Sequence, residues 1–391
     1  MRCHHVWVLG GSGRSGRAIA EELRAGGLEP VLVGRDGARL ATAARGGPTV
    51  VVGSIAEMAA AIRRERPAVV VNTVGPFVRT AEPLVAAALA AGAHYLDLAN
   101  DVDAATATLS RDTAAREAGR TVVTGAGFGV TATESVVVRL CRDEPAATAV
   151  RVDMVPSVEL VEGPLGEAIA ASVLEGFAQG GSPGRRYRDG RLVPTRFAGD
   201  PLRLRLPDGE QVTTVAMPFG ELVAAQRASR APDVVSATSE VPSSPLLGLI
   251  VPVIGAILRL GRVRRFAIRR VAGLRLTARP RPREHSWAHA SVEWSDGRVR
   301  EGWLRLGDAQ AFTVSVAAEV ARRLLAGDGR PGAFTPAALF GPGLAETCGG
   351  EYRDQERAGT GADSVGGATG TTRSSGAKQP PTSSYPPATR S

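Results

Sequence analysis

Lysine is nearly absent from this chain of 391 residues: of 47 basic side chains only Lys378, close to the C-terminal end, is a lysine. A P-loop needs a lysine on its phosphates, so a nucleoside-triphosphatase site is excluded. Schiff-base chemistry and a Tyr-xxx-Lys dehydrogenase centre also need one in the body of the chain, and both are excluded with it. Cysteine is scarce as well. Cys3, Cys141 and Cys348 form no CxxC pair, which rules out a disulfide framework and a zinc ribbon. The first apolar run, 6–9, leads straight into glycines, unlike a secretory leader. The expected setting is therefore reducing and cytoplasmic. Residues 351–391 hold one branched aliphatic, Val365, among Gly, Ser, Thr and Pro. Such a segment cannot bury enough apolar surface to fold, so a disordered tail is expected there.

Acid is missing from one long stretch. Between residues 241 and 283 there are ten arginines and no Asp or Glu, so the remainder of the chain sums to −2 out of the net +8. The positive charge thus describes one patch, and a nucleic-acid-coating protein is not expected. Within that stretch, 245–258 is unbroken apolar sequence containing Pro252, shorter than the roughly 20 residues a membrane-spanning helix needs. It reads as core, as a segment that dips into a membrane surface, or, with the arginines behind it, as a dock for an acyl-carrier partner.

The whole chain is 43% hydrophobic and 22% charged, ordinary globular material, and the part before the tail is long enough for about two domains. Up to residue 131 short apolar runs (6–9, 30–33, 49–52, 68–72, 94–98, 121–124) alternate with alanine-rich helical stretches (14–26, 36–45, 54–65, 80–91, 101–118). That rhythm predicts a Rossmann-type α/β domain, a doubly wound parallel sheet, over 1–131. Runs such as Val69-Val70-Val71, apolar on both faces, suit strands covered by helices on each side. From 132 the pattern changes to a helix (132–142), a strand (148–155), a helix near 165–178 and strands at 202–206 and 211–215. A hairpin follows at 286–294 and 299–306 through Ser295-Asp296-Gly297-Arg298, then a last helix at 309–326. Residues 132–350 are expected to form an α+β substrate or oligomerisation domain, with a homodimer as the assembly.

The first strand ends in Gly10-Gly11-Ser12-Gly13-Arg14-Ser15-Gly16, directly before a helix. Glycines there allow a tight turn and close approach of backbone to a pyrophosphate, which the helix N-terminus attracts. An NAD enzyme usually ends its second strand with an acid that binds the ribose hydroxyls. Here Gly34-Arg35-Asp36 follows the strand, so Arg35 is expected to hold the 2′-phosphate of NADP, with Arg14 as a second contact. NAD is the less favoured cofactor. Asp36 reads better as the N-cap of the next helix than as a ribose ligand.

Further on, Val71-Asn72-Thr73-Val74-Gly75-Pro76-Phe77 with Glu82-Pro83, then Gly92-Ala93-His94-Tyr95-Leu96-Asp97 and Gly125-Ala126-Gly127-Phe128-Gly129, appear in order. These motifs resemble the saccharopine dehydrogenase-like family over residues 6–140. That family includes saccharopine reductases, imine-reducing enzymes and trans-acting enoyl reductases, and the resemblance implies an NAD(P)-dependent oxidoreductase. Two positions depart from its pattern. Ala99-Asn100-Asp101 stands where many members have a Gly-Glu pair, and Gly129 where many have aspartate after the phenylalanine.

The segments 72–77, 97–101 and 125–130 each follow a strand's C-terminal end, where open parallel sheets bind ligands. Asn72, Thr73, Val74, Gly75 and Pro76 are therefore expected to join the glycine loop and Arg35 around the cofactor. No catalytic acid or base stands out. Tyr95 and Asp97, on one strand face, and Asp101 are the candidates, with core packing or capping the plainer reading for each. Gly180-Gly181-Ser182-Pro183-Gly184 matches GxSxG but lies in a loop, not a strand–elbow–helix, so a hydrolase is not expected. His285 and His289, about 13 Å apart along a strand, cannot share a metal, and no metal site is expected. Glu82 and Glu134 read as helix-start residues more readily than as acids. The expectation is an NADP-dependent hydride transfer to or from a C=N or C=C bond of a small-molecule or acyl substrate. A non-catalytic NADP-binding scaffold or sensor, or a membrane-peripheral adaptor, is the alternative.

Overall fold

The computed structural model describes residues 6–159, 163–164, 184–241, 257–258, 260–276 and 280–353. The helix expected near 165–178, most of the GxSxG segment, most of the 245–258 run and the tail beyond 353 lie outside the described residues.

Strands β1 (Val6–Leu9), β2 (Val31–Gly34), β3 (Thr49–Val51), β4 (Val69–Asn72), β5 (His94–Asp97) and β6 (Thr121–Val123) form a wholly parallel sheet in the order β6-β5-β4-β1-β2-β3. Helices α1 (Arg14–Ala25), α2 (Gly37–Ala44), α3 (Ile55–Glu65) and α4 (Phe77–Ala91) connect them, with α5 (Val102–Leu109) and α6 (Asp112–Glu117) between β5 and β6. Alternation along each strand splits the core in two. Val6, Val8, Leu32, Val69 and Val71 pack into one apolar cluster, while Trp7, Leu9, Val31, Val33 and Val70 pack into the other. Both faces are therefore dry, as the uninterrupted valine runs require. Each fully buried Val or Leu contributes roughly 1.5–3 kcal/mol relative to exposure.

The expected single helix over 101–118 is divided at Ser110 and Arg111. The break turns Asp112 toward the backbone N–H of Ala333, which its Oδ1 accepts at 2.9 Å. Ala333 belongs to a strand that arrives from far along the chain.

Beyond the first sheet, α7 runs from Phe128 to Leu140, beginning four residues before its expected start at 132. Its residues from Phe128 to Val137 are all buried, so it is a central helix and not a surface one. Glu134, expected near a helix start, sits in its middle. Its carboxyl accepts from Thr335 Oγ1 and from the Ala337 N–H at 2.9 Å. Burial pushes that carboxyl up to about 7.

The second sheet has nine strands. Its centre is β7 (Ala149–Val155), followed in the chain by the two-residue β8 (Gly163–Pro164), which belongs elsewhere. Next come β9 (Gly184–Arg188), β10 (Arg191–Thr195), β11 (Leu202–Arg205), β12 (Gln211–Ala216) and, after α8 (Gly220–Ser229), β13 (Asp233–Thr238). Helix α9 (Gly261–Ala272) leads into β14 (Arg275–Leu276), which pairs with β8. The Asp-Gly hairpin is β15 (Ser286–Glu293) and β16 (Val299–Leu306), in register from Ser286 opposite Leu306 to Glu293 opposite Val299. The main path runs β10-β9-β13-β7-β15-β16 and ends on a last short strand at 351–353, all antiparallel except β13 beside β7. The β9–β10 hairpin, α8 and β13 were not anticipated from sequence.

After α10 (Ala309–Ala326) the chain returns to the first sheet. There β17 (Gly332–Phe334) pairs with β6 in parallel as its seventh strand. The short helices α11 (Pro336–Phe340) and α12 (Gly343–Thr347) then precede β18 (Glu351–Arg353), which pairs with β16. Residues 351–353, expected in the disordered tail, are thus part of the second sheet. Helix α10 packs on α1, where Arg322 reaches the Glu22 carbonyl and carboxylate at 3.2 Å. One apolar cluster includes both Val6 of β1 and Leu304 of β16, so the two sheets share a core through α7 and α10.

Candidate functional site

The glycine turn after β1 is built by its own backbone. The N–H groups of Gly10 and Gly11 donate to the Val33 carbonyl at 2.8 and 3.1 Å, and Gly13 N–H donates to the Gly10 carbonyl at 2.8 Å. Gly10 has φ +76°, the left-handed region that suits glycine. A Cβ on Gly16 would stand 2.4 Å from the Gly10 carbonyl oxygen, so helix and turn touch as closely as backbone allows. Gly13, the N-cap of α1, provides no side-chain cap to the first N–H groups of that helix. These features fit a dinucleotide pyrophosphate: a close backbone approach, and free donors at a helix start.

At the end of β2, Asp36 accepts the Arg39 N–H at 3.0 Å and caps α2, the role expected of it. Arg35 beside it is exposed. Next to the glycine turn lies a hollow of roughly 350 Å³ whose wall includes Ser12, Arg17, Arg39 and Arg45. Arg45 is paired there with Glu21 at 2.7 Å.

The side chains of Asn72 and Thr73 turn inward. Thr73 Oγ1 donates to the Leu9 carbonyl at 2.7 Å, tying the β4 turn to β1. Asn72 accepts from the Val74 N–H at 3.0 Å and donates to Tyr95 Oη at 2.9 Å. Val74, Gly75 and Pro76 are then held as backbone at the sheet's edge, with a cis Gly75–Pro76 peptide.

Tyr95 and Asp97 do share a face, and both are fully buried. Tyr95 Oη donates to Asp97 Oδ2 at 3.1 Å. Asp97 Oδ1 accepts from the Ala99 N–H, Thr124 Oγ1 and the Gly125 N–H at 3.1, 2.8 and 3.2 Å. Burial pushes Asp97 up to about 6 against the pull of these donors, and raises Tyr95 well above a free phenol. The network fixes the turns after β5 and β6 from beneath. Asp101 caps α5 by accepting the Ala104 N–H at 2.7 Å.

Above those turns is a cavity of roughly 220 Å³, walled by Leu98 to Asn100, by Gly125 and Gly127 to Val130, by Met154, Pro156 and Val158 at the end of β7, by Glu240, and by α10. Two side chains of α10 join it to the cofactor turns. Gln310 donates to Ser15 Oγ at 3.2 Å, and Thr313 Oγ1 accepts the Phe128 N–H at 3.0 Å. Phe128 and Phe312 meet edge to face with centroids 6.3 Å apart. Glu240, exposed to solvent, is the ionisable side chain among the described lining residues, and desolvation by the protein around it raises its carboxyl.

Behind the wall, Glu221 of α8 is buried. The Asn100 amide nitrogen, turned toward it, lies 3.0 and 3.2 Å from its two carboxyl oxygens. Burial, helped by the charge of nearby Glu240, pushes Glu221 up to about 8. Its Oε1 stands 1.8 Å from where a Cβ on Gly129 would be. The space that a side chain at this position would need is thus filled by a carboxyl from another helix. Sequence reasoning missed Glu221, Glu240, Gln310 and Thr313. The available signal was Glu221 itself, a carboxyl on an otherwise apolar turn of helix.

Away from the cavity, His289 lies with Nδ1 3.0 Å from Asp153 Oδ2 and its ring against Trp303, centroids 4.3 Å apart. No group of His, Cys, Asp and Glu suited to a metal ion occurs among the described residues. Glu82 is on the surface, paired with Arg111.

Residues 6–123 match the saccharopine dehydrogenase NADP binding domain. No curated protein is significantly similar over its sequence. Among solved structures, an apo saccharopine dehydrogenase (L-Glu forming) from Saccharomyces cerevisiae shares 13% identity over 88% of this chain and 96% of that one, with a TM-score of 0.56. A myo-inositol dehydrogenase from Corynebacterium glutamicum shares 12% over 88% and 94%, with a TM-score of 0.41. Over residues 6–123 the chain is thus similar to the NADP-binding domain of saccharopine dehydrogenases, and this supports an NAD(P)-dependent oxidoreductase.

Proposed function

We propose that the protein uses NADP to transfer a hydride to or from a C=N or C=C bond of a small molecule or acyl group held in the 220 Å³ cavity. In this reading residues 1–131 carry the cofactor and one side of the substrate cavity, at 98–100 and 125–130, and 132–350 supply its other side. The observation that carries it is Gln310, which lines the cavity and at the same time bonds Ser15 at the pyrophosphate turn. One side chain thus spans the distance between where the phosphates fit and where a substrate fits.

When bound, the nicotinamide supplies or accepts the hydride. Gly10, Gly11, Ser12, Gly13, Arg14, Ser15 and Gly16 hold the pyrophosphate, and the backbone of Val74, Gly75 and Pro76 borders the adjoining ribose. Arg35, with Arg17 and Arg39 in the neighbouring hollow, favours the 2′-phosphate of NADP. Asp97 and Tyr95 act as positioning residues for the turns that wall the cavity. Glu240, whose carboxyl its surroundings raise above the ordinary value, gives the proton to the substrate atom that does not take the hydride, and Glu221 behind it holds a further proton near neutral pH.

The test is binding followed by turnover. NADPH should bind the purified protein more tightly than NADH, and imines or α,β-unsaturated acyl thioesters should cause its oxidation. Glu240→Gln should lower kcat while leaving dinucleotide affinity unchanged. Absence of dinucleotide binding would remove this reading.

A further inference from the structure

We propose that the exposed face of α9, with the residues on either side of it, docks on an anionic lipid bilayer. The helix has two unlike sides. Ile268 is buried on the inner one. Arg262, Arg265, Phe266 and Arg269 follow the three- and four-residue spacing of a single helix face, with Arg270 beside them, and all five are exposed.

Phe266 is 61% exposed in the middle of this basic face, and Leu260 at the helix start is 62% exposed. Ile257, Val263 and Leu274 are exposed in the same short stretch, so among the described residues most of the exposed large apolar side chains gather here. Elsewhere some exposed arginines meet carboxylates, as Arg298 meets Glu144 at 3.2 Å. On α9, Arg270 instead lies over the Phe266 ring, 5.2 Å from its centroid.

Charge selects the occupant. No acid interrupts the sequence from 241 to 283, and its ten arginines exceed the net charge of the whole chain. Guanidinium groups pair with phosphate in bidentate fashion, and apolar side chains interleaved with them enter the acyl boundary. Preceding the helix is the apolar run 245–258, too short to span a bilayer and interrupted by Pro252. No helix among the described residues is long and apolar enough to cross a membrane. An arginine-framed apolar face suits a surface that is itself anionic outside and apolar beneath, and an acidic protein offers only the first of these.

The experiment is flotation of the full chain with phosphatidylcholine vesicles, with or without phosphatidylglycerol, at low and high salt. Binding is expected only to the phosphatidylglycerol vesicles and only at low salt. Each arginine removed should lower partitioning about fivefold, so Arg262→Gln, Arg265→Gln, Arg269→Gln and Arg270→Gln together should abolish flotation. Phe266→Ser alone should weaken it about tenfold, with circular dichroism and thermal unfolding unchanged. That single variant and the salt series keep the test decisive if the fourfold variant misfolds. The proposal is overturned by no flotation at low salt, by equal flotation with neutral vesicles, or by flotation that survives the substitutions. Retention of polyglutamate without vesicle binding would overturn it in favour of an acidic protein partner.

Discussion

Glu221 fills the space that a side chain on Gly129 would need, its Oε1 lying 1.8 Å from the point where that Cβ would stand. A backbone position on the wall of the cavity and a buried carboxyl on another helix are therefore one unit. Met154 Sδ closes the same space from the second sheet, 2.9 Å from that point.

Gly129→Ala should accordingly destabilise the fold by about 1–3 kcal/mol, the range for forcing extra volume into packed surroundings. Urea unfolding measures it. The neighbouring Gly127→Ala, whose Cβ would meet only Thr313 at 3.4 Å, should cost less. Equal midpoints for Gly129→Ala and the unmodified protein would show that Glu221 yields freely.

Three buried carboxyls give a pH dependence of definite sign. Glu221 is pushed up to about 8, Glu134 to about 7 and Asp97 to about 6, each chiefly by burial. In the unfolded chain all three ionise near about pH 4. Above that pH the folded state keeps protons that the unfolded state has lost. Their contribution is fully present below about pH 4 and is lost as pH rises, group by group, levelling off above about 8. Glu221→Gln should remove the last part of the decline, between about pH 7 and 8, where this one group, half deprotonated by about pH 8, contributes a slope of about 1 kcal/mol per pH unit. Urea midpoints from pH 5 to 9 for both proteins test this, and identical slopes would mean Glu221 ionises like a surface carboxylate.

Tyr95 is the hinge of the buried network between Asn72 and Asp97. Tyr95→Phe leaves the Asn72 amide without its partner in a dry place, at a cost of about 1–3 kcal/mol. Because Asn72 also holds the Val74 N–H, dinucleotide affinity should weaken with stability. A proton-donating role for the phenol would instead lower kcat, shift its pH profile and leave affinity intact, so the two measurements together assign the residue.

The first sheet was legible because its information is local. Six short apolar runs, the glycine turn and the Asp36 cap each announce themselves within a few residues, and so do the Asp296-Gly297 hairpin and the helix from Ala309 to Ala326. The seventh strand was not, since Gly332–Phe334 is short and gains its meaning only by pairing with β6 across about two hundred residues. The break at Ser110–Arg111 follows from that pairing through Asp112 and was hidden with it. Asp97, polar at a strand end, reads as a loop cap more readily than as a ligand, but the sequence does not say which loop. Its partners, Thr124 and Gly125, come from the next strand and absorb its bonding capacity. Glu240 lines the cavity from beyond β13 and Glu221 stands behind its wall on α8, elements that no motif marks, and the proximity of Glu221 to Asn100 is a product of the second sheet's topology.

Cofactor preference should depend on more than Arg35. Arg35 leaves β2 at the edge nearest the glycine turn, while Arg17 and Arg39 are exposed on the hollow that includes Ser12 of that turn. Arg39 stands in the first turn of α2, where the helix start adds to its attraction for a phosphate. Arg45 contributes less there because Glu21 already neutralises it at 2.7 Å. Arg35→Ala and Arg39→Ala should each narrow the gap between NADPH and NADH affinity by about 1–3 kcal/mol, the scale of a charge-assisted hydrogen bond. The loss should fall on NADPH, with NADH affinity nearly unchanged, because NADH has no 2′-phosphate for either guanidinium to meet. Fluorescence titration of both dinucleotides against the three proteins reads this directly. Equal affinities in the unmodified protein would sink the preference for NADP, and a parallel loss for both dinucleotides would place these arginines on the pyrophosphate instead.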